Sequence, residues 1–113
     1  MAYLKDVLKV IEIFKKENNE NLIILQCTTN YPSKIEDANI NVIKTLKKID
    51  GIEVGYSDHT IGELACLASV AMGAKIIEKH FTIDKNMEGN DHKVSLLPAE
   101  FKEMINQIRI VEE

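Results

Sequence analysis

The spacing of apolar residues along the chain switches repeatedly between a period near 3.6 and one near 2, the mark of helices alternating with strands. Leu4, Val7, Leu8, Ile11 and Phe14 form one helical stripe that ends in the polar run "KKENNEN". "LIILQCT" follows, a short and almost continuous apolar run of the kind expected for a parallel strand covered on both faces, closed by the turn "TNYPS". Ser33 and Glu36 have the spacing of a capping box, and Val42, Ile43, Leu46 and Ile49 line one face of a second helix stopped at Asp50-Gly51. "IEVGYSD" is the second strand. Thr60 and Glu63 make a second capping-box pattern, opening the helix "ELACLASVAMG" with Gly73 as its C-terminal cap. "KIIEKHFT" is the third strand, and after the polar loop "DKNMEGNDHKVS" Pro98 suits the first turn of a last helix striped by Phe101, Met104, Ile105, Ile108 and Val111.

The predicted order is therefore α-β-α-β-α-β-α with short connections, which implies parallel strands joined by right-handed crossovers. Both an open doubly wound sheet and part of an eight-fold barrel satisfy that order. The chain starts inside a helix and carries three strands, too few for a closed barrel, so a partial architecture is expected.

Composition narrows the function classes. At 113 residues, 45% of them hydrophobic, the chain describes one globular unit. The net charge of -4, with acidic and basic residues interspersed, lacks the basic stripe that nucleic acid or an anionic membrane requires. Neither a signal-peptide pattern nor an apolar run of membrane length occurs, so the expected setting is cytoplasmic. Cys27 lies in a strand pattern and Cys66 in a helical one, so both are expected to be buried free thiols.

Residues two apart in a strand share a face, which pairs Ser57 with His59 and Glu78 with His80. Asp58 and Lys79 then point to the opposite face, as structural salt-bridge or hydrogen-bonding residues. Parallel α/β folds place ligand sites at the carboxyl ends of their strands, and three polar clusters lie there: "CTTNY", "SDHT" and "EKHFT". A lone histidine on a strand is more often structural. Three coinciding clusters point instead to a shared site, with His59 and His80 as candidate ligands of one metal that keeps positions open for water and substrate. Spacing alone leaves zinc, iron, nickel and manganese open. "GNDHKVS" reads either as a solvated charged loop or as a cover whose Asp91, His92 and Lys93 reach the site.

The ordered set "QCTTNYPS…EDAN", "GYSDHT", "KIIEKHFT" and "GNDHKVSL.P.EF" resembles the N-acetylneuraminate (sialic acid) synthase family, which includes legionaminic and pseudaminic acid synthases. The resemblance runs from about residue 22 to the end. It implies the last three βα units, strands six to eight, of a (β/α)8 barrel that condenses phosphoenolpyruvate with an N-acetylmannosamine-type sugar. It implies His59 and His80 as ligands of manganese or magnesium, Glu78 as a carboxylate near the metal and its water, and Asp91 as a catalytic loop carboxylate. Ser57 is implied as a phosphate contact, Tyr31 as a sugar contact, and Thr29 as standing where some members carry an asparagine. In the family an antifreeze-like C-terminal domain completes the site of a partner subunit in a homodimer. The 113 residues are expected to lack that domain and the earlier strands, and to be inactive alone. Two other readings remain: a non-catalytic partial-barrel interaction module pairing through its strand edges, and a different metal-dependent barrel lyase or aldolase.

Overall fold

The computed structural model describes residues 2–113. Its elements follow the expected order: α1 (Leu4–Lys16), β1 (Ile23–Cys27), α2 (Asn41–Leu46), β2 (Glu53–Asp58), α3 (Leu64–Ala71), β3 (Ile76–Lys79) and α4 (Pro98–Glu112). The three strands form one parallel sheet in the order β1-β2-β3. No helix among the described residues is long and apolar enough to cross a membrane.

Alternation along the strands sorts residues onto two faces. Val54, Tyr56, Ile24 and Ile77 point to the helices, where the first two join Ile43, Leu46 and Ala65 in a buried core. A second cluster joins Cys66 of α3, Met104 of α4 and Leu96, with Ile77, Phe101 and Ile108 packed against it. The stripes of α2, α3 and α4 thus pack on one side of the sheet through these residues, while Val42, Ile105 and Val111 stay exposed. Leu25, Gly55 and Ile76 face the other side in one register row. An added Cβ at Gly55 would collide with the Leu25 side chain and come within 2.5 Å of the Ile76 carbonyl oxygen, so the row closes only with glycine at its centre.

Three local expectations are corrected. Ser33 does not cap α2: its hydroxyl donates to the carbonyls of Asn30 (2.7 Å) and Thr28 (3.2 Å), a 3-10 turn occupies Ile35–Asp37, and α2 begins only at Asn41. Thr60 does not cap α3 either. Its hydroxyl donates to Asp58 Oδ2 at 3.1 Å, and α3 begins only at Leu64, with Glu63 in the N-cap position. Cys27 is only half-buried, because its side chain points to the inward face. Gly73 does end α3, at a φ of +97° that only glycine adopts freely, and Pro98 sits at the first turn of α4.

Candidate active site

Register builds the site in layers. Cys27 pairs with Ser57 and Ser57 with Glu78, so these three side chains lie side by side on the inward face. Ser57 Oγ donates to Glu78 Oε1 at 2.6 Å. The next inward positions are His59 and His80, each one residue beyond the end of its strand, with ring centroids 5.1 Å apart. Tyr31, from the turn after β1, lies over both: its ring is 4.1 Å from that of His59 and 5.6 Å from that of His80. The sequence-predicted Tyr31, Ser57, His59, Glu78 and His80 therefore converge at the carboxyl ends of the strands.

The two imidazoles are held differently. His59 Nδ1 lies 2.9 Å from the Thr28 carbonyl oxygen, the geometry of a ring N–H donating to a backbone acceptor, which leaves Nε2 as the free lone pair. Its own carbonyl accepts from Ser33 N–H at 2.9 Å. His80 stays partly accessible, and Asp91 Oδ2 comes within 3.9 Å of its Nδ1 from the loop that covers β3. That loop is fixed by a 2.8 Å contact between Thr82 Oγ1 and His92 Nδ1 and by Ser95 Oγ donating to the Asp91 carbonyl at 2.7 Å. Asp91 itself is exposed. Thr29 is also exposed, and it lines a cleft of ≈ 490 Å³ between α1, β1 and α2 rather than any described contact with the histidines.

On the helix side of the same strand ends lies a buried polar network. Asp58 and Lys79 form an ion pair at 2.8 Å with no exposed side-chain surface, as alternation predicts for residues facing away from the histidines. Burial by itself would push the Asp58 carboxyl up. The Lys79 ammonium, the Thr60 amide and the Tyr56 hydroxyl outweigh that effect and hold it below the ordinary carboxylate range. The same burial and the neighbouring carboxylate push the Tyr56 hydroxyl and the Cys66 thiol up, so neither ionises near neutrality.

Two neighbours of His59 are not among the site residues that the sequence singled out. Cys27 Sγ approaches His59 Nδ1 to 3.8 Å, and the Thr28 acceptor is a backbone atom. Strand alternation would have found the first, since Cys27 shares its face with Ser57; the second depends on the path of the turn.

Comparison with known proteins adds the decisive observation: the family model described as NeuB family matches residues 1–113. The chain belongs to the NeuB family. A pseudaminic acid synthase of Campylobacter jejuni is 47% identical to this NeuB-family chain over 112 residues, which are 99% of this chain and 33% of that protein. The human N-acetylneuraminate-9-phosphate synthase is 42% identical over 108 residues, covering 95% of this chain and 30% of its own length. The crystal structure of an N-acetylneuraminic acid (sialic acid) synthetase from Leptospira borgpetersenii matches with a TM-score of 0.92 at 36% identity, over 98% of this chain and 39% of that one. The fold is thus that of part of a sialic acid synthase barrel. The chain spans about a third of the length of the curated relatives it matches.

Proposed function

We propose that this NeuB-family chain supplies the metal-binding rim of a synthase that joins phosphoenolpyruvate to an N-acetylmannosamine-type sugar, releasing phosphate and a nonulosonic acid. The observation that supports this most is the cluster of Tyr31, His59 and His80, three mutually tilted rings with centroids 4.1–5.6 Å apart, one inward position beyond the Ser57–Glu78 pair.

The donor set fits a divalent cation, manganese or magnesium, with few protein ligands. Two imidazoles from adjacent strand ends face one another, and the Thr28 carbonyl orients one of them so that Nε2 is available. Among the described residues no group of three His, Cys, Asp or Glu could hold a metal ion, and two imidazoles by themselves leave positions open for water and substrate. Bound there, the cation would polarise the sugar aldehyde and favour ionisation of a water.

The chain's own residues account for orientation and proton handling. Tyr31 offers an aromatic face and a hydroxyl at the mouth of the site, suited to a sugar. Glu78 is in position to accept the proton of the water that adds at C2 of the phosphoenolpyruvate unit, and Ser57 holds its carboxylate in place. Asp91 enters from the covering loop and acts on the sugar side. We place Thr29 at the phosphoenolpyruvate end of the site only through its position in the family motif. The 113 residues alone are expected to release no phosphate, since the relatives they match are about three times as long. We place the full-length assembly in the cytoplasm as a homodimer, as the sequence reading and the family resemblance expect.

The test is Glu78→Gln in a full-length NeuB-family synthase carrying the same motif. Turnover should fall by about 10²–10⁴-fold, the usual contribution of a general base, with manganese binding retained. Normal turnover with tight metal binding would remove Glu78 from the mechanism.

A further inference from the structure

We propose that Lys79 is a positioning residue for the His59–His80 pair: one buried ammonium ties the two residues that flank His59, Asp58 through its carboxylate and Thr60 through its backbone carbonyl, to the strand that leads into His80. The backbone ladder between β2 and β3 ends at the pair Asp58–Lys79, one residue short of both histidines. Beyond it each histidine carbonyl is held from outside the pair, His59 by Ser33 N–H at 2.9 Å and His80 by Leu96 N–H at 2.8 Å, and the Lys79 side chain links the two strand ends to each other. Its Nζ donates to Asp58 Oδ2 at 2.8 Å and to the carbonyl oxygen of Thr60, the two residues that flank His59, while its own peptide leads directly into His80.

Asp58 completes the clamp. Its Oδ1 accepts from Tyr56 Oη (2.9 Å) and Thr60 N–H (3.0 Å), and its Oδ2 accepts from Thr60 Oγ1 (3.1 Å) and Cys66 Sγ (3.4 Å) besides Lys79. The carboxylate is saturated with donors from the helix side and has none of its capacity turned to the inward face. Energetics point the same way. An ion pair with no exposed surface gives little net stability, and well-packed apolar residues of the same volume often serve as well or better. What an apolar pair cannot supply is the directed bond to the Thr60 carbonyl, which sets the course of the chain beyond His59.

The metal consequence rests on the reading that the two imidazoles hold a divalent cation, whereas their placement does not, and two readouts separate the claims. The full chain is compared with Lys79→Met and with the neutral double variant Asp58→Asn/Lys79→Met, after far-UV circular dichroism has shown which are folded. The first readout is the ring-to-ring nuclear Overhauser effect between His59 and His80 without metal; the second is the manganese dissociation constant by electron paramagnetic resonance. The folded double variant should lose the ring contact and bind manganese at least about tenfold more weakly, the lower end of the range for residues that orient a metal ligand. An unchanged ring contact overturns the proposal whatever the manganese constant does. A double variant that does not fold overturns it as well, because a pair needed for folding in general is not specific to the histidines. A native chain that shows the ring contact yet binds no manganese rejects the metal reading alone, and the ring contact then decides the positioning role.

Discussion

Ser57 and Glu78 share one proton: the Ser57 hydroxyl donates to the Glu78 carboxylate at 2.6 Å across the β2–β3 pair. A serine has a single O–H, so it cannot donate to Glu78 and to a substrate phosphate at once. In the ground state it serves Glu78, and a phosphate contact requires the hydroxyl to turn. Replacing the buried Ser57 by alanine is expected to lower the stability of the chain by about 1 kcal/mol, the net worth of one such bond. Urea denaturation checks this, and a midpoint equal to that of the native chain would show that the bond contributes nothing.

Gly55 has no room for an added Cβ. Its Cβ would meet a backbone oxygen of Ile76 on one side and Leu25 on the other, and neither strand can shift without disturbing the row that carries Ser57 and Glu78. Gly55→Ala is expected to cost about 1–3 kcal/mol, the range for overpacking, read from the same denaturation curves.

Acid should unfold the chain partly through Asp58. Burial raises its carboxyl, but Lys79, Thr60 and Tyr56 lower it further, so the folded state holds its proton less tightly than the unfolded one. The stability this supplies is fully present above the ordinary aspartate value of about 4 and is lost as the pH falls through the lower folded value. Melting temperatures measured from pH 7 to pH 2 should fall less steeply below about pH 4 in Asp58→Asn than in the native chain. Parallel curves would assign the acid sensitivity to other carboxylates.

The two thiols should differ sharply in reactivity. Cys66 is fully buried, with its thiol pushed up by burial and by the Asp58 carboxylate, whereas Cys27 is half-buried beside His59. A thiol-specific chromogenic reagent is expected to label one cysteine in the native chain and the second only after unfolding. The early phase should disappear in Cys27→Ser. Equal labelling rates for both would contradict the burial of Cys66.

The sheet was legible because each strand and helix announces its period, and the inward face followed from counting by two from Ser57 and Glu78. The opposite placement of Asp58 and Lys79 followed from the same count. What periodicity could not show was where the helices start. Ser33 and Thr60 have the spacing of caps, yet α2 begins only at Asn41 and α3 at Leu64, and the two hydroxyls bond to turn carbonyls and to the Asp58 carboxylate. Nor could it show that β3 ends at Lys79, leaving His80 beyond the ladder, or that the Thr28 backbone oxygen orients His59. Those features depend on the path of the turns, to which hydrophobic spacing is blind.

The central claim, that His59 and His80 together hold a divalent cation, is tested most directly by titrating manganese into the 113-residue chain while electron paramagnetic resonance reports the free ion. One equivalent should bind, and His59→Ala and His80→Ala should each abolish that binding while leaving the circular dichroism unchanged. No binding by the native chain, or binding that survives both substitutions, would contradict the account.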